Sequence, residues 1–274
     1  MVIVTRVLME IDTLLKKLSP ENYRTDAMRT LIVIPCYNAR STLEDVIKRT
    51  PKEFRAGLLV VDDGSTDDTI NVLEKNDIKF IRHQRNLGYG AAQKTGFRFA
   101  VRNGYDLVVI LHADGQYPPE KIQSLISPII KEEADIVSGS RMLKESNRRE
   151  MPILRNVGNR FLSLLENLAL GTSLNCYHCG FRAYSKKFLE SVNFTLNSNG
   201  FEFDSEILFQ AVSKGFRIKQ IPIDAHYGKE ISYLKPLTYG LSILRIVSNY
   251  TFCRLHITKS EQYTGRLEIC LHPS

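Results

Sequence analysis

The pair Asp62-Asp63 stands directly after the apolar run 58–61 and opens the polar string DDGSTDD. Two carboxylates at the end of a buried strand are poor for the strand and useful for a ligand. One can accept hydrogen bonds from a base or ribose while the other supports the loop. Helix capping is the competing role, and Thr66 and Asp67 suit it; Asp63 is read as a ligand contact. Past the apolar run 107–111 come His112, Asp114 and Gln116. Alternate residues at a strand end project to one side, so these three can converge. A carboxylate, an amide oxygen and diphosphate oxygens form the hard set that Mg2+ prefers, and a histidine moves the preference toward Mn2+. The same stretch also reads as a plain turn built on Asp114-Gly115.

Asn86, Gly88 and Gly90 open a helix carrying Gln93 and Lys94, and glycines at a helix N-terminus let a phosphate approach the backbone. The glycine pattern is short of the dinucleotide fingerprint and follows the third strand, which disfavours a Rossmann dehydrogenase. No GxxxxGK[ST] exists, which argues against a P-loop ATPase. Arg141, Lys144, Arg148, Arg149 and Arg155 are five cations in fifteen residues, offset by Glu145 and Glu150. That stretch reads either as a solvated charged loop or as a mobile loop closing on phosphates. It contains no aromatic residue, so nucleic-acid binding has little to stand on. Cys176 and Cys179 form a lone CxxC around His178, and zinc needs about four ligands. A metal-thiolate site and a pair of reduced thiols in a loop are the two readings.

The elements that must position these groups alternate. Short apolar strands at 31–34, 58–61, 78–81 and 107–111 are separated by helical patterns at 42–49, 67–75, 90–101 and 119–130. That alternation predicts an α/β fold with a mostly parallel central sheet covered by helices on both faces. The polar strings fall where ligands bind in such sheets, beyond the carboxyl ends of the strands. A strand at 134–141, a basic loop at 141–155, a helix at 159–170, the strand GFRAYS, a helix at 203–215, a strand at 216–223 and an amphipathic helix at 234–252 follow. Val7, Leu8, Ile11, Leu14, Leu15 and Leu18 predict an amphipathic helix before the domain. The division expected is 1–29 for that helix and lead-in, 30–235 for one α/β domain, and 236–274 for a C-terminal amphipathic helix and tail.

Composition fits this picture. The chain has 274 residues, 43% hydrophobic and 24% charged, which excludes wholesale disorder. No apolar run reaches the roughly 18 residues of a membrane span, and no secretory leader is visible. The expectation is a cytoplasmic protein. The net charge of +7 favours phosphate-bearing partners. For the helix at 234–252, burial against the domain and peripheral docking on the cytoplasmic face of an anionic membrane are both open.

Seven stretches in order carry a resemblance: IPCYNA (34–39), VVDDGSTDDT (60–69), RNLGYGAAQKTGF (85–97), HADGQYPPE (112–120), GSRM (139–142), GFRAYS (180–185) and FEFDSEIL (201–208). Their order and strand-end placement resemble family 2 glycosyltransferases of the GT-A fold, and within them the polyprenyl-phosphate sugar transferases similar to dolichol-phosphate mannose synthase. The resemblance implies a nucleotide-diphosphate sugar donor, Mg2+ or Mn2+, a lipid-phosphate acceptor and inversion at the anomeric carbon. It implies that Pro35, Tyr37, Asn38, Asp62 and Asp63 line the nucleotide pocket with Gly88, Lys94 and His112. Asp114 and Gln116 then hold the metal, Arg141 and Arg155 face phosphate, and Gly180, Phe181 and Arg182 shape the acceptor side. For a hydroxyl acceptor a base is required, and Glu202 and Asp204 are the candidates, while Glu206 caps or packs its helix.

The chain departs from the family's pattern at three places. His112 stands for the first acid of the DxD motif. Tyr227 and Ser232-Tyr233 stand where the subgroup has phosphate-contacting residues. The paired C-terminal membrane helices of many relatives do not occur. Two rivals to a lipid-phosphate transferase follow: a transferase acting on a glycan hydroxyl, and an inactive relative serving as a partner protein.

Overall fold

The computed structural model describes residues 28–143, 153–224 and 236–264. The helix predicted at 7–18 lies outside them, as do Lys144, Arg148, Arg149, Tyr227, Ser232, Tyr233 and the side chain of Arg155.

Seven strands form the sheet. They are β1 (Thr30–Cys36), β2 (Leu58–Asp62), β3 (Phe80–Arg82), β4 (Leu107–Ile110), β5 (Ile136–Ser140), β6 (Arg182–Ser185) and β7 (Ile218–Pro222). Their order is β3-β2-β1-β4-β6-β5-β7. Every neighbouring pair is parallel except those of β6, which runs antiparallel to both β4 and β5. The α/β class with a mostly parallel sheet holds, with this one reversed strand as the amendment.

Both faces are covered, and the strand residues alternate between them as the period of two requires. Leu31, Val33, Leu59, Val61, Val108 and Ile110 join one core. Helices α4 (Tyr89–Arg102), α7 (Lys186–Ser191), α8 (Phe203–Ser213), the C-terminal end of α6 (Ile153–Leu170) and α9 (Pro236–Arg254) cover that side, together with the short α10 (Glu261–Thr264). Ile32, Ile34, Leu58, Val60, Leu107 and Val109 join the other core, under α1 (Leu43–Arg49), α2 (Lys52–Arg55), α3 (Thr69–Lys75) and α5 (Ile122–Ile130). Of α9, Ile243, Ile246 and Tyr250 are buried in the first core.

Two of the boundaries that differ from expectation have a local cause. Helix α6 begins at Ile153 instead of 159, so Arg155 sits in its first turn and not in a loop. In the sequence Pro152 stands immediately before Ile153, and proline favours the start of a helix. Strand β3 begins at Phe80, two residues late, because Asp77 at φ 51° and the Ile78 N–H, bonded to the Leu73 carbonyl, still belong to the exit of α3.

Candidate active site

The loops that follow β1 and β2 are bound to each other. Asn38 adopts a left-handed φ of 51°, which asparagine tolerates better than most residues. Its Oδ1 accepts from the N–H of Thr66 at 2.8 Å and of Asp67 at 3.3 Å. Its own N–H donates to Ser65 Oγ at 2.9 Å, and that of Ala39 donates to Thr69 Oγ1 at 3.0 Å. Asn38 is thus the rivet of the loop pair. Pro35, beside Val61 in the sheet register, and Tyr37 stand half-buried at the same strand end.

The two adjacent carboxylates are both taken up by the fold. Asp62 is fully buried, accepts from the Ser65 N–H at 3.2 Å and pairs with Arg82 Nε at 3.2 Å. Asp63 is 3% exposed. Its Oδ1 accepts from the Leu87 N–H at 2.9 Å and lies 2.6 Å from His83 Nδ1, while Oδ2 accepts from the Gly88 N–H at 2.7 Å. Asp63, read from its position as a base or ribose contact, clamps the Leu87-Gly88 turn. Three donors converge on Asp63, and hydrogen bonds to a charged acceptor are the strong ones.

The glycine-led start of α4 also serves the chain itself. Gly88 has φ 105°, and a Cβ there would overlap the Asn199 carbonyl oxygen. The Gly90 N–H donates to that same oxygen at 2.8 Å. Lys94 Nζ donates to the Asn197 carbonyl and to Asn199 Oδ1 at 2.9 Å, and the residue is 6% exposed. Burial, with Arg98 nearby, pushes the Lys94 ammonium down to about 8. Gly88 and Lys94, expected to meet a phosphate, instead receive the 197–199 segment. Glu206 holds that segment from the other side, accepting the Ser198 N–H at 2.6 Å.

Beyond β4, His112 and its neighbours form a packed unit. The Tyr89 hydroxyl lies 2.8 Å from His112 Nε2 and 3.2 Å from Asp204 Oδ2. Gln93 Nε2 donates to Asp204 Oδ1 at 3.1 Å, and Arg182 is 3.8 Å from that oxygen. A carboxylate only accepts, so Tyr89 donates to Asp204 and accepts from His112. His112 Nε2 therefore carries a proton, and in a neutral ring the lone pair is on Nδ1. Phe201 stacks on Tyr89 at 5.2 Å, and Tyr117 meets the His112 ring edge-on at 5.0 Å. A Cβ on Gly180 would overlap both His112 Nε2 and the Tyr89 hydroxyl, so only glycine fits beneath them. Sequence reasoning missed Tyr89 and the reason for Gly180; a tyrosine set between two glycines of a loop was the available signal for the first.

Asp114 makes the turn, with Oδ1 accepting the Gln116 N–H at 3.0 Å. Asp114 and Gln116 are half-buried. Among the described residues no group of three or more histidine, cysteine, aspartate or glutamate side chains could hold a metal alone. The set fits Mg2+ or Mn2+ only as a partial site, completed by phosphate oxygens, which is how Mg2+ is commonly held.

The remaining candidates divide. Arg141, expected in an open basic loop, is 4% exposed, with its guanidinium 5.9 Å over the Tyr117 ring. Arg182 is fully buried, donating to the Asp204 carbonyl at 2.5 Å and to the Tyr177 carbonyl, and Phe181 is buried against Tyr117. These two brace the site from beneath and do not line an acceptor surface. Asp204 is likewise committed to Tyr89 and Gln93, whereas Glu202 is half-buried and makes no cap on α8. Cys176 and Cys179 face each other inside the fold with their sulfurs 3.1 Å apart. His178 between them reaches Tyr239 with Nδ1 at 2.7 Å and stands 3.3 Å from the buried Glu166 with Nε2.

Polar loops on one edge of a parallel sheet invite comparison with known proteins. The dolichyl-phosphate N-acetylglucosaminyltransferase of Methanococcus voltae, which uses UDP-N-acetylglucosamine, is 30% identical over 72% of this chain and 85% of its own. The polyprenol monophosphomannose synthase of Mycolicibacterium smegmatis is 30% identical over 71% of this chain and 76% of its own. Glucosyl-3-phosphoglycerate synthase from Mycobacterium tuberculosis, solved with UDP, superposes with a TM-score of 0.64 at 19% identity, covering 82% of this chain and 80% of that one. The same enzyme has been solved with Mn2+, UDP and its product. This likeness fixes the fold as GT-A. The model of the family described as "Glycosyl transferase family 2" matches residues 31–192, and the chain belongs to that family.

Proposed function

We propose that the protein is an inverting glycosyltransferase that moves a sugar from a nucleotide-diphosphate sugar to a polyprenyl or dolichyl phosphate. The observation that carries this reading is the convergence of the loops after β1, β2 and β4 on one sheet edge, in a chain of this family. The names of its relatives, which act on dolichyl and polyprenyl phosphates, supply the acceptor class.

An acceptor phosphate oxygen attacks the anomeric carbon from the side opposite the nucleoside diphosphate. A new C–O bond forms, and the old one leaves with its electron pair on the diphosphate. The acceptor is already anionic, so no protein base is required. Pro35, Tyr37 and Asn38 line the nucleotide pocket, and Asp62 and Asp63 act through the loops they hold. His112 offers its Nδ1 lone pair to the donor side, fixed by Tyr89. Asp114 and Gln116 would hold Mg2+ or Mn2+, which would supply positive charge to the leaving diphosphate. Arg155, in the first turn of α6, is the residue assigned to bind the acceptor phosphate. For a hydroxyl acceptor only Glu202 is left as a base, because the Asp204 carboxylate is engaged. The lipid acceptor brings the reaction to a membrane surface, and the reading includes peripheral contact there. No helix among the described residues is long and apolar enough to cross a membrane.

Calorimetric titration of UDP and GDP, with and without Mn2+, tests the donor half. Metal-dependent binding of one nucleotide that Asp114→Ala weakens is expected. A failure to bind either nucleotide in any condition overturns the reading in favour of an inactive relative.

A further inference from the structure

The transfer reaction leaves the Cys176-Cys179 pair unused. Both residues are fully buried, and their sulfurs lie 3.1 Å apart. A disulfide bond is about 2.05 Å long, so closing the pair takes a movement of about 1 Å. The chain on the Cys176 side is held in place. Gln220 of β7 accepts the Asn175 N–H at 2.6 Å and donates to the Cys176 carbonyl at 2.8 Å. His178 is fixed by the Tyr239 hydroxyl, 2.7 Å from its Nδ1. On the other side, Gly180 follows Cys179 directly and lies beneath His112 Nε2 and the Tyr89 hydroxyl, with no room for a Cβ.

The surroundings set this pair apart from the buried Cys36. Arg141 acts on Cys179 through its backbone N–H and its charge, and Arg182 adds a second positive charge. Hydrogen bonding with Cys176 first, and then Arg141, hold the Cys179 thiol below its usual range against the opposing effect of burial. Burial, with Asp62 and Asp67 nearby, pushes the Cys36 thiol the other way. The thiolate is the nucleophile in sulfur chemistry. Cys179 is therefore the reactive member, and Cys176 is the partner already in contact with it. Because both are buried, the oxidant that suits them is a small one, admitted by local opening.

We propose that Cys176 and Cys179 form a redox site that a hydroperoxide oxidises to a disulfide, and that the disulfide slows sugar transfer. With hydrogen peroxide, the Cys179 thiolate attacks one oxygen, the O–O bond breaks, and hydroxide leaves to become water. The Cys176 sulfur then attacks the Cys179 sulfenic acid, the S–S bond forms, and a second water leaves. Two thiols and one peroxide thus give one disulfide and two waters, with the sulfurs oxidised by two electrons. Since Gln220 holds Cys176, closure draws Cys179 and Gly180 away from their places under His112. A displacement of about 1 Å in the groups around a reaction can cost about 100-fold in rate. This second step rests on the proposed transferase reading, and the formation of the disulfide does not.

The test treats the folded, reduced full chain with hydrogen peroxide, then denatures it, alkylates the remaining thiols and maps the peptides by mass. A bond between Cys176 and Cys179 is expected in the wild type and in Cys253→Ser. Transfer to a polyprenyl phosphate is expected to fall by about tenfold or more on oxidation and to return with dithiothreitol. Cys176→Ala with Cys179→Ala keeps the reduced activity and loses the response. Both thiols still open to alkylation after peroxide overturns the proposal, and so does a Cys179 sulfinic acid beside a free Cys176. A disulfide that leaves turnover unchanged overturns the link to transfer. A disulfide formed in a protein whose reduced form transfers no sugar to any polyprenyl phosphate defeats the functional reading and leaves the redox site standing.

Discussion

Replacing Asp63 with alanine removes one acceptor from three donors at once. The Leu87 and Gly88 N–H groups and His83 Nδ1 lie 2.9, 2.7 and 2.6 Å from its oxygens, in a site where Asp63 is 3% exposed. A hydrogen bond to a charged group contributes about 1.5–3 kcal/mol, and donors left buried without a partner add a desolvation cost. The three share one carboxylate and do not add, so the loss is about 3–5 kcal/mol, as for other broken buried charge clusters. In a chain of this size that lowers Tm by roughly 10 °C. Asparagine keeps the shape but turns an amide toward a donor, so Asp63→Asn falls in the same direction by less. Chemical denaturation without any nucleotide measures both. Unchanged stability in Asp63→Ala, with only nucleotide affinity lost, refutes the clamp and restores the direct ligand contact.

Tyr89→Phe removes the hydroxyl between His112 and Asp204 and lowers stability by about 1–3 kcal/mol. It also releases the His112 proton from Nε2, which nitrogen NMR of the ring reads directly; unaltered ring shifts contradict the relay. Glu166 gives a pH test. Burial raises its carboxyl from 4.5 to about 8, and burial first, with Arg182 and Arg141 adding to it, lowers His178 to about 3. Between pH 4.5 and about 8 the folded state holds the Glu166 proton that the unfolded state has lost. From pH 4.5 to 6.5 His178, protonated only in the unfolded state, offsets this, so stability falls as pH rises mainly between 6.5 and about 8, and Glu166→Gln flattens that fall. An identical pH slope in the variant contradicts the buried neutral acid. Glu202→Gln leaves transfer to a lipid phosphate within about threefold of wild type, whereas a loss of 100-fold or more assigns Glu202 as a base and the acceptor as a hydroxyl.

The alternation of apolar strands and helical patterns made the sheet legible from 30 to 130, because buried parallel strands are continuous apolar runs bounded by polar turns. The reversal of β6 was not legible. RAYS pairs equally well in either direction, and its orientation follows from where α6 delivers the chain. The site was legible as positions and less so as partners. Asp63 stands out beside a strand, but its donors arrive from residues 83–88; Lys94 looks available for phosphate until Asn197 and Asn199, about a hundred residues on, claim it. Spacing along the chain reports neither contact. The same holds for Gly180, whose need for a bare Cα comes from His112 and Tyr89.

The most direct measurement is transfer of labelled sugar from UDP- and GDP-sugars to a short-chain polyprenyl phosphate in detergent, with Mg2+ or Mn2+. The account predicts a single-sugar lipid product of inverted configuration, formed by the wild type and lost in Asp114→Ala. A folded protein that makes no such product but glycosylates a glycan hydroxyl, or turns over no donor at all, contradicts it.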